Sequence, residues 1–329
     1  MLRFLIRRIL SAVLILLVVS AVTFFLFFAL PGNPARLVCG KSCNPTRLAE
    51  IKHGLGLDRS IFVQYWDFMK GIFVGRDYTF AGQPTHCGVP CFGYSYTTKQ
   101  QVWSTLLDRF PATISLAIGA ATLFLIVGVG LGAIAALRAQ TWFDRFAISF
   151  SLIGASLQIY FIGPLLKNVF VDQLHWLPDP RYVPISNSPT SWFKGMIIPW
   201  ITLAIVSTAV YARLTRSRML DTLGEDFVRA GRGRGLKTST LHLKHTGRAT
   251  LSPVLTVFGL DLAGLLSGAV ITETVFNIQG IGKLAVTSVF NDDLPMIMAT
   301  VLIGAALVVI ANVVVDIAYA VVDPRVRLT

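Results

Sequence analysis

The spacing of its charges limits this chain more than any other feature. No Asp, Glu, Lys or Arg lies between Arg8 and Arg36, Arg109 and Arg138, Arg145 and Lys167, Lys194 and Arg213, or Asp293 and Asp316. The stretch from Arg248 to Glu273 holds one charge, Asp261. A helix that crosses a hydrocarbon layer of about 30 Å needs roughly 20 mostly apolar residues. These runs predict six transmembrane helices, near residues 9–30, 112–137, 146–169, 196–216, 252–275 and 296–321. Only 14% of the 329 residues are charged and mean hydropathy is +0.65. A soluble domain carries about 25% charged residues, so this chain has too few to cover a water-facing surface. Its net charge of +12 would point to nucleic acid in a soluble protein. In a membrane chain the position of the charges matters more than their sum, and no nucleic-acid partner is expected.

Arg3, Arg7 and Arg8 precede the first apolar run as in a secretory signal. The run is longer than the 7–15 residues of a signal core and no A-x-A site closes it, so the reading is an uncleaved anchor. With the N-terminus inside, the cytoplasmic segments hold sixteen Lys and Arg, and the short outer loops hold Arg181, Lys194 and Lys283. The segment 31–111 carries nine more, but segments of that length translocate largely regardless of charge. Both termini are therefore expected in the cytoplasm.

That topology makes residues 217–250 the main cytoplasmic loop, with "DFVRAGRGRGLKTSTLHLKH" (Asp226–His245) at its centre. No aromatic residues interleave with its Arg-Gly run "GRGRG" for base stacking. "GIGKLAV" at Gly280 is the nearest approach to a phosphate loop and lacks the first glycine and the hydroxyl. Acids at Glu225 and Asp226 suit a helix N-terminus. Gly231, Gly233 and Gly235 each weaken a helix by about 1 kcal/mol relative to Ala and are tolerated where a partner packs closely against bare backbone. The expectation is a short helix, a tight turn and a second short helix held by another protein, with His242 and His245 as interface residues.

At these residues the chain resembles a known family. "YARLTRSRMLDTLGEDFVRAGRGRGLKTSTLHLKH" (Tyr211–His245) resembles the coupling region of bacterial ABC-importer permeases of the dipeptide/oligopeptide/nickel group, B-type subunit. The family's acidic–Ala–Ala signature, followed after three residues by Gly, maps onto Arg229-Ala230-Gly231 and Gly235, so an Arg replaces the acid and a Gly the second Ala. "LPGNP" (Leu30–Pro34), "LGLDRSIFVQYWDFMKGI" (Leu55–Ile72), "RFPATISLAI" (Arg109–Ile118), "TETVFNIQGIGKL" (Thr272–Leu284) and "DPRVRL" (Asp323–Leu328) extend the similarity in order along nearly the whole chain.

The resemblance implies an all-α polytopic membrane protein of type I importer architecture, in a bacterial inner or plasma membrane. Residues 1–30 would form the N-terminal tail and first helix, 31–111 an extracytoplasmic lobe, and 112–329 the core permease domain. It implies that Asp226, Phe227, Arg229, Ala230, Gly231, Gly235 and Leu236 couple to a separate ATPase. The expected partners are a second, homologous permease, two ATPase subunits and an extracytoplasmic solute-binding protein. The chain itself would be non-catalytic and bind no cofactor, with ATP and Mg on the ATPase subunits. The expected cargo is a short peptide; nickel or another small solute is the alternative within the family. Two readings from other classes are a proton-coupled secondary transporter using Asp261 and Glu273, and a membrane-anchored scaffold.

All four cysteines, Cys39, Cys43, Cys87 and Cys91, fall in the outer segment. That placement suits an oxidising compartment and disulfides, of which three pairings are possible. Two C-x3-C pairs also have zinc-like spacing. "FVQYWDFMKGIF" (Phe62–Phe73) reads as amphipathic, either lying in the membrane interface with Tyr65 and Trp66 at headgroup level or packed on the outer ends of the spans. Asp261, mid-span, is costly unless it meets water or a partner. It is a candidate for the translocation pathway or for a structural hydrogen bond. Glu273 is placed at the outer end of the same helix, as a gate residue or ion-pair partner, and Asp316 near the inner end of the last. The small residues of "GVGLGAIAAL" (Gly128–Leu137) are expected to let helices approach closely.

Overall fold

The computed structural model describes residues 2–28, 34–39, 43–54, 56–80, 83–95 and 97–322. Most of "LPGNP" and all of "DPRVRL" lie outside these, as do the side chains of His245 and Asp316. The chain divides into two compact units, Met1–Thr113 with Gln279–Val309, and Ile114–Ile278 with Ile310–Thr329. The long helices α5 and α14 run through both.

In the first unit, α1 (Leu2–Phe28) is the first span. It is followed by α2 (Pro34–Cys39), α3 (Pro45–Gly54) and α4 (Ile61–Val74). Two antiparallel hairpins come next, β1 (Arg76–Phe80) with β2 (Gln83–Cys87) in the register Arg76↔Cys87, and β3 (Tyr94–Ser95) with β4 (Gln100–Gln101). Between the first two spans the described residues thus form three helices and two small sheets. α4 packs on the outer end of α1. Ser20 and Tyr65 share a 2.8 Å hydrogen bond, and Phe24 meets the rings of Tyr65 and Phe68. Of the two residues expected at headgroup level, Tyr65 is turned onto α1, and only Trp66 is exposed.

Each cysteine pairs within its own C-x3-C, Cys39 with Cys43 and Cys87 with Cys91. No thiolate is left for zinc among the described residues. Ala35, Cys39 and Ile51 form a small core under the first bridge. A second core joins Val102 and Leu106 of α5 (Val102–Leu137) to Met296, Ala299 and Ile303 of α14 (Leu294–Val322). α5 begins ten residues before the expected span. Hydropathy marks where a helix enters lipid, and this helix starts before it, on the far side of Arg109 and Asp108. Between α5 and α14 in this unit, α13 (Ile281–Phe290) is anchored by its Ile281 N–H, which donates to Thr113 Oγ1 at 2.8 Å.

In the second unit the expected third span is two helices, α6 (Trp142–Ser156) and α7 (Ile159–Lys167), the latter extended by a π-helical turn, Asn168–Gln173. They bend by 102°. Leu157 and Gln158 at the break have extended backbone; neither is Gly or Pro, so the charge-free run carries no sign of it. The pair and the loop that follows it make contacts along α8 (Pro189–Leu223). Asp144 meets Arg216, Gly154 lies against Ala209, and the Arg181 N–H reaches the Gly195 carbonyl. From residue 216 to 195 a helix rises about 30 Å, the thickness of the hydrocarbon core. Among the described residues five helices are long and apolar enough to cross a membrane, and six if this bent pair counts as one span.

α8 is capped by Ser188, whose Oγ accepts from the Ser191 N–H, with Pro189 at the first position. Like α5 it outlasts its apolar run. α11 (Gly247–Leu266) ends where Gly268 adopts φ +126°, a conformation L-residues avoid. The expected fifth span, drawn to residue 275, is therefore too long. Glu273 sits on a separate short helix, α12 (Val270–Val275), and not on the helix that carries Asp261.

Candidate functional site

Two polar regions of the second unit stand out, one beyond the inner end of α8 and one inside the membrane. At the first, α8 ends at Leu223 and the chain turns within three residues into α9 (Asp226–Gly233). α9 is two-faced. Val228 is fully buried and Gly231 packs inward, while Asp226, Phe227, Arg229, Ala230 and Arg232 are exposed. A Cβ on Gly231 would lie 2.8 Å from Leu241 Cδ1. The close approach that this glycine permits is therefore to its own chain, not to a partner as expected.

The end of α9 is a Schellman cap. The Leu236 N–H donates to the Gly231 carbonyl and the Gly235 N–H to the Arg232 carbonyl, with Gly235 at φ +76°. Gly235 is thus required by backbone conformation, and the space beside it is open. Leu236 is half-exposed next to it. The expected second short helix is instead the start of the fifth span. α10 (Thr238–Thr240), a π-helical stretch (Leu241–Thr246) and α11 follow one another in helical conformation. His242 is partly buried with its Nε2 enclosed, so it does not belong to an exposed interface.

The membrane site centres on Tyr211 and Asp261. Tyr211 is fully buried, its ring 4.8 Å from that of Phe124, and its hydroxyl donates to Asp261 Oδ2 at 2.8 Å. Asp261 itself is exposed on the surface of the chain. It therefore has both features weighed in the sequence: a structural hydrogen bond to a neighbouring helix, and a face free of its own chain. Glu273 is completely buried, and its backbone carbonyl accepts from Ile278 N–H at 2.8 Å. The two acids expected to work together are placed differently, one at the chain's surface and one in its interior.

Sequence reasoning passed over a third polar pair. Arg216 Nε and Nη2 both donate to the carboxylate of Asp144, the second at 2.8 Å, and the Gln140 N–H donates to the same group at 2.9 Å. Asp144 is buried. Arg216 enters the sequence reading only as one of the cytoplasmic cations, and Asp144 does not enter it. The one available signal was an acid standing alone among the arginines that bound two apolar runs.

Two family models match successive stretches of this chain. Residues 1–117 match the N-terminal part of the binding-protein-dependent transport system membrane component, and residues 128–328 match the binding-protein-dependent transport system inner membrane component. The chain belongs to this family of ABC-importer permeases.

The permease is 34% identical over 321 residues to a putative peptide transport system permease of Brucella abortus, covering 98% of both chains. It is 34% identical over 348 residues to a di/tripeptide transport system permease of Pseudomonas aeruginosa, covering 99% of each. It is 32% identical over 327 residues to a glutathione transport system permease of Salmonella typhimurium, again covering 99% of each. Membership of this family displaces the secondary-transporter and scaffold readings. The permease is a multi-pass membrane subunit of an importer.

Proposed function

We propose that this permease imports short peptides, driven by a separate ATPase that docks on the exposed face of α9. The carrying observation is the division of that helix: Val228 and Gly231 hold it to its own chain, which leaves Phe227, Ala230, Arg229 and Leu236 presented outward. An apolar anchor ringed by cations is the composition of an interface centre and rim. Because the π-helical stretch and α11 follow α9 closely, a push on α9 reaches the membrane helix that carries Asp261, a rigid-body route of the kind that switches two-state assemblies. ATP and Mg belong to the ATPase, and this chain is non-catalytic. Both termini are cytoplasmic, in keeping with the Lys/Arg count. A second, homologous permease and an extracytoplasmic binding protein complete the complex. The names of the relatives, peptide and di/tripeptide transport permeases, support a peptide as cargo.

The test is the whole complex in proteoliposomes with its binding protein. ATP-dependent uptake of a labelled dipeptide is expected, and both uptake and co-purification of the ATPase should be lost in Phe227→Asp. Nickel uptake without dipeptide uptake would overturn the cargo, and ATPase retention by Phe227→Asp would overturn the docking face. Gly235→Glu is the poorer probe, since it would distort the cap whether or not a partner docks there.

A further inference from the structure

A groove of about 170 Å³ opens on the second unit between α5, α6 and α8. Its walls are Ala135, Ala147, Ile148, Leu152 and Ala212 with one hydroxyl residue, Ser151, and its rim holds Arg213 and Arg216. The depth of this groove in the bilayer follows from the sequence. The charge-free runs of all three helices end here, at Arg138, Arg145 and Arg213. Trp142 and Phe146, stacked at 5.8 Å and both exposed, sit at the same helix end, where aromatic residues mark the headgroup level. The groove is thus mainly apolar on the hydrocarbon side and cationic at the cytoplasmic surface.

Among the described residues, only Arg216 of the cations at this level is spent on an acid. Arg216 is neutralised by Asp144. Arg138, Arg145 and Arg213 are exposed and make no ion pair among the described residues. Three uncompensated arginines at one level, with an apolar slot beneath one of them, complement an anionic head carrying a hydrocarbon tail. A soluble anion would have no use for the slot, and an uncharged lipid none for the rim. Basic pockets between membrane helices on the cytoplasmic side bind such headgroups.

We propose that this groove holds an acyl chain of an anionic phospholipid, with the lipid phosphate on Arg213. The bidentate Arg216–Asp144 pair keeps the neighbouring guanidinium in place and fixes α6 against α8, so the slot is preformed. The site is independent of the cargo and of the ATPase docking face.

The test uses the intact complex purified from membranes, with co-purifying phosphatidylglycerol and phosphatidylcholine quantified by mass spectrometry after exchange into mixed nanodiscs. The wild type is expected to enrich phosphatidylglycerol. Arg213→Gln should reduce the enrichment by about fivefold, the worth of one basic residue at an anionic surface. Leu152→Trp narrows the slot without changing charge and should reduce it too, so loss of charge or misfolding in one variant cannot alone account for the result. Equal phosphatidylglycerol in all three proteins, or equal retention of phosphatidylcholine, would overturn the site. So would an Ile148→Cys variant that crosslinks to another protein subunit, because the groove would then be filled by protein.

Discussion

Gly132 offers a sharp test of how α5 and α8 are held together. A Cβ at this position would lie 2.4 Å from the Ala212 carbonyl oxygen and 2.8 Å from Thr215 Cβ. Ordinary contact begins near 3.4 Å, so Gly132→Ala must move the two helices apart by about 1 Å. The obstacle is a backbone carbonyl, so no rotamer change relieves it. Overpacking of this kind costs about 1–3 kcal/mol. Alanine also gains about 1 kcal/mol over glycine in a helix interior, so the net loss is about 0–2 kcal/mol. Gly130 supplies the control, because nothing lies within 4 Å of its Cβ position. Gly130→Ala keeps the propensity gain alone. The two variants should therefore differ by about 1–3 kcal/mol, with Gly132→Ala the less stable. Thermal unfolding of the purified protein in one detergent, followed by tryptophan fluorescence, reads the difference. Equal midpoints would mean that the helices are not in contact at this register, and the small-residue stripe would lose its packing role.

Asp261→Asn should lower transport while leaving complex assembly intact, and normal uptake by the variant would remove Asp261 from the pathway. Tyr211→Phe deletes the donor to Asp261 and should cost about 1 kcal/mol of stability; an unchanged unfolding midpoint would show that water replaces the hydroxyl. Each disulfide closes a very short loop, for which chain entropy gives about 2 kcal/mol. Reduction should thus speed proteolysis of the outer lobe and spare the membrane helices, and protection unaltered by reductant would sink that view. Asp293 is buried, accepts from Ser95 Oγ, and precedes α14 as its N-terminal cap; burial pushes its carboxyl above the usual range. A raised carboxylate pKa favours the folded state below the ordinary value, and that contribution fades as pH rises through the folded one. Asp293→Asn should therefore gain on the wild type at neutral pH and lose that gain in acid, read as midpoints against pH; a gain constant across pH would rule out titration of Asp293.

How far the sequence carries depends on whether a property is local. Charge-free length fixes the membrane crossings because each helix meets lipid by itself, and its own composition sets that cost. The same locality made the helix ends illegible: hydropathy locates the lipid boundary, and α5 and α8 continue past it into water. The break at Leu157–Gln158 left no trace in the sequence, since both residues tolerate helix and strand alike. The motif at Asp226–Leu236 was visible as a stretch, but its glycines were not separable by type. One is a cap in the left-handed region, one a contact with Leu241, and one faces open space. Only the folded chain tells these apart, because each depends on what stands opposite. The pairing of Cys39 with Cys43 and Cys87 with Cys91 likewise needed three dimensions to choose among three possibilities. So did the bond from Tyr211 to Asp261 and the pair Asp144–Arg216, whose partners lie 50 and 72 residues apart. The sequence by itself determined the solvent this protein lives in and its family. Tertiary structure decided which polar groups meet, since that is a matter of distance between helices that the chain visits at different times.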